Sequence, residues 1–378
     1  MLLEKTLDLD LEYSYYHCPV LRFGVTIFIT TLLVGYAGAH SSSSSGKYNP
    51  CNFPAIFNFS WKPAGETYFG APAGRYSDGR LIIDFIAERL GLPHLSAYLD
   101  SIGANFIHGV NFATAAAGIR KWNNSTGLGP ISLVVQNIEY AQFTTRTQSL
   151  RNRGGGFQNL MPKIESFSRG LYTFYIGQND VTSYYIGTPM EQVRDLISDT
   201  LNQFSENIKD IYGRGGRYFW IHNTGPVGCL AYMIDSLQIA PGQIDEGGCY
   251  FNRRLNDTVV KLRKQLPSAA ITYVDVYKVK YLLISKAKKY GFKQPLKACC
   301  GRGGKYNYNS KYGCGAKMKV NGKARLIGSC KNPKVKIVWN GVHYTEAANK
   351  FVFDQIVDGS FSDPPMPLAL ACHRPTSH

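Results

Sequence analysis

Apolar residues recur along this chain on two periods. Leu81, Ile82, Phe85, Ile86 and Leu90 fall three and four residues apart, the spacing that lines one face of a helix. Asp78 is placed to cap that helix and Gly91 to stop it. Val193, Leu196, Ile197, Leu201, Phe204 and Ile208 repeat the pattern and predict a long amphipathic helix from Glu191 to Tyr212, ended by Gly213 and Gly215. A further helix is predicted from Phe251 to Leu266, closed by Pro267. Short apolar runs bounded by turn residues lie at Pro54–Phe59, Val110–Ala113, Leu171–Ile176, Arg217–His222 and Ala270–Val276. Runs of that length read as buried strands. A last strand-like run, Val335 to Trp339, delivers His343 into a loop, and a helix starts at about Thr345.

Strands that alternate with helices need crossover connections, and these make parallel strands with right-handed turns. The prediction is an α/β fold, a doubly wound parallel sheet covered by helices. Such sheets carry their sites in the loops at the carboxyl ends of the strands. The loops in question are Ser60 after the first strand, Gly109 to Gly118 around the second, Gly177 to Asp180 after the third, and Asn340 to His343 near the end. Neither a dinucleotide-binding glycine motif nor a phosphate-binding loop is present, so nucleotide binding has no support.

Charge changes the picture of the partners. The 378 residues carry a formal net charge of +16. Lys278, Lys280, Lys286, Lys288, Lys289, Lys293 and Lys297 crowd one stretch, and further lysines follow up to Lys336. Such a surface attracts anions, among them acidic polysaccharide; the plainer reading is a solvated helix face. No nucleic-acid motif accompanies it. Phe23 to Val34 is a largely apolar run after Arg22 and before the A-x-A site Ala37-Gly38-Ala39, which reads as an export signal. The acidic leader before it fits either a later start or retention as an anchor, and the run is short for a stable membrane span. Cleavage after Ala39 leaves Cys51, Cys229, Cys249, Cys299, Cys300, Cys314, Cys330 and Cys372, an even set that suits disulfides outside the cell, in a pairing the sequence does not fix. No C-x-x-C occurs, so zinc has no support, and no cofactor is implied. N-glycosylation sequons stand at Asn58, Asn123, Asn124 and Asn256.

The loop residues suggest acyl chemistry. Ester hydrolysis needs a nucleophile, a base and donors for the developing oxyanion. His343 can be the base, and the Asn179 amide with a backbone N–H of the glycine-rich turn can be the donors. Asn179 is equally a common turn former.

Several motifs narrow this further. F-Y-I-G-Q-N-D-V-T (174–182), I-H-N-T-G-P-V-G-C-L (221–230), A-C-C-G-R-G-G-K-Y-N-Y-N (298–309) and W-N-G-V-H-Y-T-E-A-A-N-K (339–350) resemble the plant GDSL esterase/lipase family, in particular its early-nodulin-like secreted branch. Residues 73–87 and 108–115 fit the same pattern, and the likeness runs from about Cys51 to Cys372. The resemblance implies an SGNH hydrolase fold, a flavodoxin-like three-layer α/β/α sandwich that cleaves acyl or acetyl esters without a metal. It implies one domain over 48–372, after a signal or anchor (1–39) and a Ser-rich linker (40–47), with a tail at 373–378. It gives His343 the role of base and Asn179 that of oxyanion donor. The oxyanion glycine falls in the turn 109–118, with Gly109 one candidate and Ala116 another.

Two positions depart from the family. Where it reads G-D-S-x-S-D-T-G, this chain reads F-N-F-S-W-K-P-A-G-E-T-Y-F. The glycine, the aspartate and the stretch after them are absent, and Ser60 is the one local candidate nucleophile. Asn340 stands where the family has the aspartate that supports the histidine; an asparagine keeps the shape, brings no charge, and its NH₂ can favour the wrong tautomer. The expected function is therefore a secreted ester hydrolase acting on an acylated glycan or lipid, impaired in this copy. Two alternatives stay open: a non-catalytic binder of cell-wall glycan or lipid, and a chain shortened by exon loss or a gene-model error.

Overall fold

The computed structural model describes residues 27–31, 62–100, 103–121, 129–185, 188–237, 245–309 and 311–372. In chain order the elements are β1 (Ile27–Thr31), α1 (Ile82–Arg89), β2 (Gly109–Asn111), α2 (Leu133–Arg153), α3 (Ser166–Arg169), β3 (Leu171–Tyr175), α4 (Gln178–Tyr185), α5 (Met190–Gly213), β4 (Tyr218–His222), α6 (Ala231–Leu237), α7 (Asp245–Gln265), β5 (Ala270–Val274), α8 (Val276–Ser285), β6 (Lys317–Val320), β7 (Lys323–Leu326), α9 (Glu346–Ile356) and β8 (Ser362–Asp363).

The apolar runs form a sheet of order β2-β1-β3-β4-β5-β8, parallel up to β5 and closed by an antiparallel β8. That is the flavodoxin-like order, whose switch point lies between β1 and β3. Successive strand residues point to opposite faces, and the two cores divide accordingly. Leu171, Tyr175, Trp220 and Val274 pack with Phe85, Val279 and Val352, under α1, α8 and α9. Tyr172, Phe174, Phe219 and Ile221 pack with Tyr140, Phe204 and Phe251, under α2, α5 and α7. Helices on both faces of a parallel sheet make the expected three-layer α/β/α sandwich. None of the described helices is long and apolar enough to cross a membrane.

Several local expectations are corrected. The strand at Pro54–Phe59 lies outside the described residues. The strand between β2 and β3 is Ile27–Thr31, inside the stretch that reads as an export signal, so cleavage after Ala39 would remove it. Val335 to Trp339 is not a sheet strand. Pro333–Val335 is a 3₁₀ turn, and the backbone beyond it bonds locally, with Cys299 N–H donating to Val338 O, Cys300 N–H to Trp339 O, and Thr345 N–H to Ile337 O. Asp78 caps a different helix: it accepts the N–H of Glu346 at the start of α9 (2.8 Å), while Asp84 takes the N–H of Leu81 ahead of α1. Two disulfides, Cys299–Cys330 and Cys300–Cys314, hold the loop beside Trp339. Of the sequons, Asn256 lies within α7; Asn58, Asn123 and Asn124 lie outside the described residues.

Candidate functional site

His343 is held from beneath by its own loop. Asn340 Oδ1 accepts the backbone N–H of His343 at 3.0 Å and that of Val342 at 3.3 Å, and it meets His343 Nδ1 at 2.9 Å. Atoms that receive backbone N–H groups are carbonyl oxygens, so the asparagine NH₂ is turned away from the ring. Nδ1 therefore carries the proton and donates it, and Nε2 keeps its lone pair. The feared wrong tautomer does not form. Nε2 is buried and has no hydrogen-bond partner among the described residues. Gly341 makes the loop possible: its φ is +95°, and a Cβ there would meet Tyr308 Cδ2 at 2.2 Å.

The imidazole is buried although it sits in a loop, and the Tyr76 ring stacks on it at 5.2 Å. Burial, with the charge of nearby Lys280 second, pushes its pKa down to about 3. The ring is thus a neutral base at every physiological pH, and a weak one.

The turn after β2 is tied to the start of α4. Ala116 has φ +60°, the left-handed region that favours glycine. Asn179 is buried in the first turn of α4, not in an open loop, and its Nδ2 donates to Ala117 O at 2.7 Å. Asp180, also buried, accepts the N–H of Ile119 at 2.9 Å and that of Arg120 at 3.3 Å. Burial raises the Asp180 pKa to about 6, against the backbone donors that lower it. Consecutive side chains of one helix turn therefore pin the turn 117–120. Gly109 belongs elsewhere: it opens β2 at the amino end of the strand, and its N–H donates to Phe106 O. The backbone angle of Ala116 sets this turn apart in a way that sequence spacing does not reveal. Ala116→Gly is expected to remove strain of about 1 kcal/mol, readable as a rise in the thermal midpoint.

A cleft opens beside the histidine. Its lining includes Leu81, Tyr175, Gln178, Lys280, Val342 and His343. Gln178 and His343 thus share one cleft, and Asn179 follows Gln178 in the chain. Ser60 lies outside the described residues. His222 accepts the Trp220 indole N–H at 3.0 Å inside the core. Among the described residues no group of three or more His, Cys, Asp or Glu side chains could hold a metal ion.

Residues 58–356 match the family described as GDSL-like Lipase/Acylhydrolase. The chain belongs to this family. It is 51% identical to the GDSL esterase/lipase ACHE of Zea mays over 88% of this chain and 92% of that protein. It is 46% identical to the GDSL esterase/lipase ENOD8 of Medicago truncatula over 86% and 91%. It is 48% identical to a protein of Arabidopsis thaliana called Alpha-L-fucosidase 3 over 88% and 96%. Lys280 and Tyr76, both against or beside the histidine, were missed from the sequence; Lys280 sits among lysines that read as a solvated face.

Proposed function

We propose that this member of the GDSL family is a serine-type ester hydrolase whose turnover is curtailed. His343 is its base, Asn179 and the turn at Ala116 its oxyanion donors, and Asn340 the residue that orients the ring. The observation that supports this most is the His343 ring itself, with Nδ1 donating to Asn340 and Nε2 beside the cleft without a hydrogen-bond partner among the described residues. A general base needs that tautomer to take a proton from an attacking hydroxyl. The missing negative charge and the departure at G-D-S are what curtail it. Losing the charge leaves the imidazolium unsupported, and losing an oxyanion donor alone costs typically about 10²–10³ in rate.

Hydrolysis of p-nitrophenyl acetate by the purified protein is expected to be slow and to fall to the buffer rate in His343→Ala. Equal rates in the two proteins would refute the catalytic role of His343. In that event the second reading, a cell-wall glycan or lipid binder without turnover, gains from the same departures, and retention on acetylated polysaccharide would support it. A fucosidase reading draws on the name of one relative. It has less support, because glycosidases commonly use two carboxylates and, among the described residues, no Asp or Glu lines this cleft.

The disulfides support secretion. An acidic wall polysaccharide suits the surface charge. Between Asp275 and Glu346 the sequence has 15 Lys and 2 Arg and no acidic residue. That one segment supplies the whole excess of positive charge.

A further inference from the structure

We propose that Lys280 makes the cleft a receptor for a short-chain carboxylate, with the carboxylate on Lys280 Nζ and the hydrocarbon against Leu81, Ile82, Leu230 and Val342. Lys280 projects from α8 into the cleft and is 7% exposed. Among the described residues no Asp or Glu forms an ion pair with it. The groups that face it are neutral: the Tyr175 hydroxyl from β3, to which Nζ donates, the Tyr344 ring at 4.3 Å, and, as charge neighbours, His222 on β4 and His343.

A buried ammonium without a counter-ion is costly, and burial brings the Lys280 pKa down to about 7. A group kept at such a cost calls for a ligand that compensates it, and a carboxylate is the anion an ester hydrolase fold meets, as the acid half of its substrates. Tyr175 completes the receptor. Its oxygen accepts from Nζ, so its own proton is free to be donated, and Tyr175 lines the cleft. The room is built in as well: Gly225 lies over the lysine stem, and a Cβ there would come within 2.9 Å of Lys280 Cδ. The apolar walls suit a few methylenes.

The inference uses the same cleft as the hydrolase reading but none of its chemistry, since binding needs no nucleophile. Titration calorimetry of the full chain at pH 6 is expected to give a millimolar dissociation constant for butyrate and no heat for butyramide. Lys280→Met, which fills the site with an apolar stem of similar length, is expected to fold and to lose butyrate binding. Tyr175→Phe is expected to weaken binding about tenfold, and it keeps the test open if Lys280→Met fails to fold. Equal binding of butyrate and butyramide overturns the proposal, and so does undiminished butyrate binding in either variant. Because no turnover is measured, failure here leaves the hydrolase reading to its own assay.

Discussion

Asn340→Asp is expected to lift the pKa of His343 well above about 3 and, in a chain that presents a serine, to speed ester hydrolysis by up to about 10⁴. The geometry for this gain is already in place. Asn340 Oδ1 sits 2.9 Å from Nδ1 and accepts two backbone N–H groups, and a carboxylate oxygen can take the same three donors. What the substitution adds is one negative charge against a buried ring. Charge acts strongly there because little water screens it. It also offsets Lys280, whose positive charge helps hold the imidazole neutral. Titration of the ring by NMR separates this effect from the nucleophile. A risen pKa with an unchanged rate assigns the remaining defect to the G-D-S departure, and an unmoved pKa refutes the charge argument. The rate itself is followed as kcat/KM for p-nitrophenyl acetate.

Acid is expected to unfold this protein early. His222 and His343 are both buried, and both have pKa values pushed down to about 3 from the ordinary 6.5, with burial the main cause and Lys280 the second. Above pH 6.5 neither ring binds a proton in either state, and neither costs stability. Below it the unfolded chain takes up protons that the native rings refuse. Stability is therefore lost from pH 6.5 down to about 3, where the native rings finally titrate. Each ring contributes a slope of about 1.4 kcal/mol per pH unit within that window, so the two together remove several kcal/mol. Lys280, at about 7 against 10.5, acts with the same sign between pH 10.5 and 7. Asp180 opposes: its raised pKa gives stability that is present below 3.8 and lost as pH rises through about 6. Urea midpoints measured from pH 7 to 4 check this, with His343→Leu expected to flatten the slope by up to one proton. An identical slope in that variant would show that the ring titrates normally in the native state.

The sheet and its helices could be read from apolar spacing because burial imposes the spacing. Leu171–Tyr175 and Tyr218–His222 are covered on both faces, so nearly every position had to be large and apolar. Helix α2 was invisible for the opposite reason. Its buried side includes Gln136, Asn137 and Thr147, so no apolar stripe marks it. The hairpin β6–β7 had a signal that went unused. Asn321-Gly322 takes positive φ at both residues, the turn that Asn-Gly favours. At the site, the histidine and its asparagine were legible as a motif. Ala116 was not decidable until its backbone angle was known, and Asp78 looked like the cap of the nearer helix because sequence shows neighbours in the chain and not in space. Lys280 was hidden by company, a single buried lysine among many solvated ones.

The adjacent cysteines make the shape of the histidine loop depend on redox conditions. Cys299 and Cys300 donate their backbone N–H groups to Val338 and Trp339, the two residues ahead of Asn340, and each cysteine is tied by a covalent bridge to a different part of the same loop. The base of the site is thereby fastened to a redox-sensitive clamp. Reducing both bridges is expected to leave every residue of the loop in place and to remove the frame that aligns them.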